Sequence, residues 1–381
     1  DTCEKGKCVL KANVGQSCGL GKLCGIDGSC LCPTYNVTYG AEEEAPKYTT
    51  STEYLYDVEG AANGDGSYAT GYIHMGATGG YQGLVIRRDN AGKMNAFRNV
   101  CRHRGTEVAS GRGNLAKFTC PYHAWSFALN GDLVAVAREE TFVQFEKHTR
   151  NLTELPSKEF AGLVWTILDR SVEPDWSNLH PQIDEDFKAM RLDKAHVYGR
   201  RTFELNANWK VILEPFLEGY HVQRLHSKSI GQMFSDTPNV THTFGPNIRQ
   251  ISGKMNFTPE ALDDESENIH KTVTHAYEVF PNTVVVTSPY YISVMIIMPK
   301  SPGKSVVDYF MLTPVAPDNE KAEQLYAKSY ELIQHVFGNE DFWAAEMSQQ
   351  GLEAGALDTV IYSGMEETIL TFYDILEGQL A

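Results

Sequence analysis

The chain has 381 residues, 42% hydrophobic and 22% charged, an ordinary globular composition with room for two or three domains. Its net charge of −16 argues against nucleic acid or an anionic membrane surface as a partner. No apolar run reaches the length of a membrane span.

The chain begins at Asp1 without a signal-type apolar run, which reads as a processed or trimmed chain. Six cysteines, Cys3, Cys8, Cys18, Cys24, Cys30 and Cys32, crowd its start, and only Cys101 and Cys120 follow. Residues 1–45 hold few large apolar side chains and need cross-links to stay folded. We read them as a small Cys-rich module held by three disulfides of undetermined pairing. Its Cys30-Leu31-Cys32-Pro33 resembles the close of small extracellular EGF-like modules. A zinc site is the alternative, although a paired C-x-x-C spacing is missing.

Residues 46–168 read as mainly β. Gly83-Leu84-Val85-Ile86 and Leu163-Val164-Trp165-Thr166-Ile167 are short apolar runs, and Asp89-Asn90-Ala91-Gly92 and Asn130-Gly131-Asp132 have hairpin-turn chemistry. Within this stretch Cys101-Arg102-His103 is followed, after sixteen intervening residues, by Cys120-Pro121-Tyr122-His123. Two loops thus offer one thiolate and one imidazole each. Cys101 and Cys120 on one iron with His103 and His123 on the other is the Rieske 2Fe-2S arrangement. Neutral imidazoles raise the potential above that of an all-Cys cluster, which suits a centre that accepts and passes on electrons. A zinc site usually pairs Cys with Cys and His with His, unlike these mixed pairs. Gly105, Gly111 and Gly113 allow tight turns. Trp125 and Phe127 serve either as an apolar cover for the cluster or as ordinary core aromatics.

The stretch from Phe97 to Gly105, then Phe118-Thr119-Cys120-Pro121-Tyr122-His123-Ala124-Trp125, closely resembles the Rieske domain of ring-hydroxylating oxygenase α subunits.

Residues 169–381 mix strands and helices. Val284-Val285-Val286 and Ile292 to Met298 read as strands, and Glu320 to Val336 and Asp341 to Gln350 as helices. Asn206-Ala207-Asn208-Trp209-Lys210 leads to Glu214-Pro215-Phe216-Leu217-Glu218-Gly219-Tyr220-His221 and then His226. Two His and a carboxylate on one face of an iron leave positions open for O2 and substrate. A regular helix would turn residues five apart by about 140°, so His221 and His226 converge only at a helix end or π-type bulge near Leu225. The spacing alone marks no site.

This segment too resembles the same family, here its catalytic-domain motif. The resemblance runs from Tyr54 to Leu376 and implies an α+β chain. An antiparallel β Rieske domain is followed by a helix-grip catalytic domain, a curved antiparallel sheet with helices. It implies a mononuclear Fe(II) held by His221, His226 and Asp341, the last from Glu340-Asp341-Phe342-Trp343. Glu340 and Glu346 stay open as ligands, and an acidic pair favouring a helix N-terminus is the plainer reading of Glu340-Asp341. The resemblance also implies a homotrimer in which Glu218 carries electrons between one subunit's cluster and the next subunit's iron. Most of the family has Asp there, and Glu resembles members that oxidise quaternary amines. A solvated surface glutamate is the plainer reading.

The expected activity is hydroxylation, dihydroxylation or N-demethylation of a small aromatic or quaternary ammonium substrate. It uses O2 and electrons from a reductase or ferredoxin. A binding or pigment protein that kept the fold is the competing reading. A luminal or secreted site, favoured by the Cys-rich module, conflicts with a cytosol or organelle matrix, which supplies reductant.

Overall fold

The computed structural model describes residues 67–74, 81–89, 92–168, 173–262, 267–355, 357 and 359–380, plus the backbone of short strands at 23–24, 30–31 and 48–51. Apart from the first two of those strands, the expected cross-linked module lies outside the described residues. Two compact units are formed, with their boundary between Ala195 and His196.

In the first unit the apolar run Leu84-Val85-Ile86 is fully buried on both faces, as the middle of a sheet requires. It lies in strand Tyr81–Arg88, flanked by Met94–Arg98 and Ser67–His74 in a five-stranded antiparallel sheet. The hairpin to Met94–Arg98 closes through Asp89, whose Oδ1 accepts from Lys93 N at 2.8 Å. Phe118–Thr119, Ser126–Phe127 and Leu133–Ala135 form a small three-stranded sheet. Its last turn uses Gly131 at φ +87°, where a Cβ would stand 2.7 Å from the Phe97 ring. Phe97, Phe118, Trp125, Phe127 and Leu133 build the core around this sheet, and Cys101 and Cys120 are buried in it. Gly105 and Gly111 do take left-handed turns, but Gly113 is an ordinary strand residue facing Tyr68.

The second unit is a seven-stranded antiparallel sheet in the order His196–Leu205, Lys304–Thr313, Ile292–Ser301, Thr283–Thr287, Val273–Val279, Asn247–Gly253, Val240–Phe244. Side chains alternate across it. Ile248, Val284, Met295 and Tyr309 stand in one cross-strand row and share a core with Trp209, Leu213, Phe337, Phe342 and Phe372 from the helical segments. The helix-grip architecture follows: helices cover this face and carry the polar residues described next.

The two helices expected at Glu320 to Val336 and Asp341 to Gln350 are one continuous rod. Helix Glu320–His335, capped by Asn319 Oδ1 on Ala322 N at 2.9 Å, runs through a π-helical turn, Val336–Asp341, into Phe342–Glu353. Gly338 lies in the π turn, where a Cβ would meet the Phe203 ring at 3.0 Å.

Candidate metal centres

Two loops of matching design hold the Cys/His pairs. Gly105 N donates to Cys101 O, and Ala124 N donates to Cys120 O, both at 3.0 Å. Each loop turns back through a left-handed residue, Gly105 at φ +85° and Ala124 at φ +59°. The loops bring the His103 and His123 rings to 4.6 Å between centroids, and Trp125 stacks on His103 at 4.8 Å. Trp125 and Phe127 both belong to the buried core, and Trp125 in addition lies against His103.

Burial pushes the Cys101 thiol up to about 11, and the neighbouring Cys120 thiol adds to the rise. Burial, with the adjacent His123 and Arg104, holds His103 below its usual range, and His103 Nδ1 is buried without a hydrogen-bond partner. Two facing thiols and a buried imidazole nitrogen with nothing to bind fit a positively charged iron–sulfur centre. Such a centre would ionise the thiols and occupy that nitrogen.

The second cluster comes from two elements. The turn Glu214–Leu217, begun by Pro215, passes into extended Glu218 and then a single helical turn, Val222–Leu225. Helix ends set the direction here. The turn starts at His221 and stops at His226, whose φ −88° and ψ 20° take the chain out of the helix. The five-residue spacing therefore does not have to be met by regular helix, and the rings lie 5.0 Å apart between centroids. The π turn delivers buried Asp341 from the other side. Its Oδ1 lies 3.4 Å from His221 Nε2 and 3.2 Å from His226 Nε2. One donor atom from each of the three residues falls within 4.8 Å of the others.

The remaining imidazole nitrogens are held by carboxylates. Glu218 binds His221 Nδ1 and also accepts from His221 N at 3.0 Å. Glu340 Oε2 accepts from His226 Nδ1 at 2.7 Å and from Ser229 Oγ at 2.7 Å. Glu340 thus faces the outer nitrogen of His226, and Glu346 is engaged with Asn206 N at 2.8 Å, so neither joins the three-donor group. Orientation of ligating imidazoles by carboxylates on the far nitrogen is a recurrent feature of metal sites. Only the residue type of Glu340 was visible beforehand, because its partner lies more than a hundred residues away in the chain.

Burial would lower the His221 pKa, but contacts with Asp341 and Glu218 raise it to about 10. His226 is likewise raised against its burial, mainly by Asp341. Asp341, which burial alone would raise, is held below its usual range by the two imidazoles. The group therefore attracts positive charge, and its Asp341 Oδ1 is buried without a hydrogen-bond partner. Two neutral imidazoles and one carboxylate with open positions suit a divalent non-haem iron.

Gly231 backs this turn. A Cβ there would stand 2.7 Å from Val222 O and 2.8 Å from His226 O, and backbone cannot move aside cheaply. Gly231→Ala is expected to cost about 1–3 kcal/mol of stability and to lower the iron-to-sulfide ratio. Denaturant unfolding and metal analysis on one preparation check both.

Comparison with known proteins places these features in a family. Residues 192–381 match the profile of the ring-hydroxylating α subunit catalytic domain, and residues 67–147 match that of the Rieske 2Fe-2S domain. Chloroplastic choline monooxygenase of Spinacia oleracea is 29% identical over 282 residues, covering 71% of this chain and 61% of its own length. The carnitine monooxygenase oxygenase subunit of Acinetobacter pittii is 27% identical over 286 residues, covering 72% and 73%. The chain thus spans under two thirds of the spinach protein. Among solved structures, the quaternary ammonium Rieske monooxygenase CntA shares the fold with TM-score 0.75 at 22% identity, over 91% of this chain and 93% of that one. Naphthalene 1,2-dioxygenase from Rhodococcus sp. shares it with TM-score 0.65 at 18% identity, over 86% and 89%.

Proposed function

This chain belongs to the ring-hydroxylating oxygenase α-subunit family, with its 2Fe-2S cluster and mononuclear iron, and on that premise we propose that it monooxygenates a small quaternary ammonium compound. The co-substrate is O2, and a reductase or ferredoxin supplies the electrons. The observation that carries the reading is the group His221, His226 and Asp341, with each imidazole's outer nitrogen on a carboxylate. The substrate class is supported by the relatives that act on choline and carnitine and by Glu rather than Asp at position 218.

In this reading Cys101, His103, Cys120 and His123 hold the cluster in residues 46–168, and His221, His226 and Asp341 hold the iron in residues 169–381. When bound, the cluster stores single electrons and the iron supplies dioxygen activation. The protein residues fix geometry. The Nδ1–H groups of His221 and His226 stay on Glu218 and Glu340, so both Nε2 atoms present lone pairs to the same point as Asp341 Oδ1. Three donors from two elements would hold the iron from one side and leave the other side free for dioxygen and substrate. Glu218 bridges to a cluster histidine of the neighbouring subunit in a head-to-tail homotrimer.

The test is metal and sulfide content with an EPR spectrum of the dithionite-reduced protein, followed by turnover on choline, L-carnitine and naphthalene. About three irons and two sulfides per chain with a Rieske signal are expected. Methylammonium substrates should couple electron use to product. Two irons, or turnover of the aromatic alone, would overturn the proposal.

A further inference from the structure

Among the described residues, Asp341 and Glu278 are the buried acids. Asp341 has two imidazoles. Glu278 has nothing: it is 2% exposed, and neither carboxyl oxygen has a hydrogen-bond partner. Burial alone pushes its carboxyl well above the usual range, with no side-chain cation pulling it back. A carboxyl left in this condition is unfavourable, and an apolar residue would fill the position better.

Its place suggests what it awaits. Glu278 lies on strand Val273–Val279, directly between Ile248 and Val284 in the row that continues to Met295 and Tyr309. That row faces the helices that carry the metal-binding residues. The strand packs against Glu214–Leu217, the turn leading into Glu218 and His221, and Gln250 of the adjacent strand donates to Leu217 O. Phe216 of that turn meets Phe337 edge-on at 5.4 Å, and Phe337 meets Tyr309 at 5.8 Å. Phe337 belongs to the same π turn as Asp341. An unpaired carboxyl group and these aromatic rings thus belong to the same helix-covered face of the sheet.

We infer that Glu278 is the counter-charge for the cationic headgroup of the substrate, a methylated ammonium held on this sheet face with aromatic rings beside it. A quaternary ammonium cannot donate hydrogen bonds and is weakly hydrated, so a buried carboxylate with aromatic faces recognises it, while a neutral molecule of the same shape gains only the apolar contact. The inference rests on the quaternary ammonium reading above.

The test compares binding of choline, L-carnitine and 3,3-dimethylbutan-1-ol, the uncharged carbon analogue of choline, to the holoenzyme and to Glu278→Gln. The wild type is expected to prefer at least one of the two ammonium compounds over the neutral analogue. Glu278→Gln should weaken that ammonium compound roughly 10- to 100-fold while leaving the neutral analogue unchanged. A purely structural role would weaken all ligands alike and leave the preference intact. If Glu278→Gln keeps the wild-type preference, the Glu278 assignment falls and the substrate class stands. If the wild type itself shows no preference, both fall. Should Glu278→Gln not fold, Glu278→Leu, which suits the apolar row, takes its place in the same comparison.

Discussion

Asp341→Asn is expected to leave about two irons and two acid-labile sulfides per chain, against about three and two in the wild type, and to lower turnover more than about 100-fold. The substitution keeps the side chain's shape and removes only its charge. The three-donor group then loses its one anion, the atom that lies 3.2 and 3.4 Å from the two imidazole Nε2 atoms. Glu218 and Glu340 cannot replace it, since each is committed to an outer nitrogen. The cluster loops lie in the other compact unit and make their own hydrogen bonds, so the sulfide content and the EPR signal should persist. His221→Ala should give the same metal count. Iron content and turnover unchanged in either variant would remove these residues from the centre.

Much of the strand structure was legible because burial on a sheet writes itself into local composition. Leu163 to Ile167 forms a strand with every residue buried, and the strands Thr283–Thr287 and Ile292–Ser301 contain the apolar runs that suggested them. The turn at Gly131 was visible through Asn130-Gly131-Asp132, a local signal for a left-handed residue. The π turn was not. It adds one residue to a helical repeat, and the apolar period on either side reads as two helices with a gap. That gap is where Asp341 gains its position, so the element most important to the carboxylate's direction left the weakest pattern.

The site showed a similar division. Mixed Cys/His pairs are uncommon enough to draw attention to Cys101, His103, Cys120 and His123 from spacing alone. His221 and His226 drew attention only through resemblance, since the helix end that joins them is a tertiary outcome. Glu340 as the partner of His226, and Glu278 as a buried acid without a partner, left no local mark. Both depend on which chain segment faces them, and a charged residue on a strand or helix usually reads as solvent-facing.

Glu218→Gln separates two roles that one carboxylate performs in our proposal. In the structure it accepts from the backbone N of His221 and holds that ring's Nδ1; the proposal adds a bridge to a neighbouring subunit's cluster. An amide oxygen can still accept one hydrogen bond from His221, so ring orientation should survive in part. A positioning role alone predicts iron affinity reduced by about 10- to 100-fold, with normal turnover once iron is supplied in excess. A bridging role predicts a different pattern. Iron content stays near the wild-type value, dithionite reduces the cluster normally, and reoxidation of the reduced cluster by O2 with substrate present slows by about 100-fold or more. We expect the second pattern, because the amide lacks the negative charge that would attract a histidine proton from a second subunit. Stopped-flow absorbance of the cluster reads the rate directly, and metal analysis of the same preparation reads the affinity. Wild-type reoxidation in Glu218→Gln would confine Glu218 to orienting His221 and would leave the route of electrons to the iron to other residues.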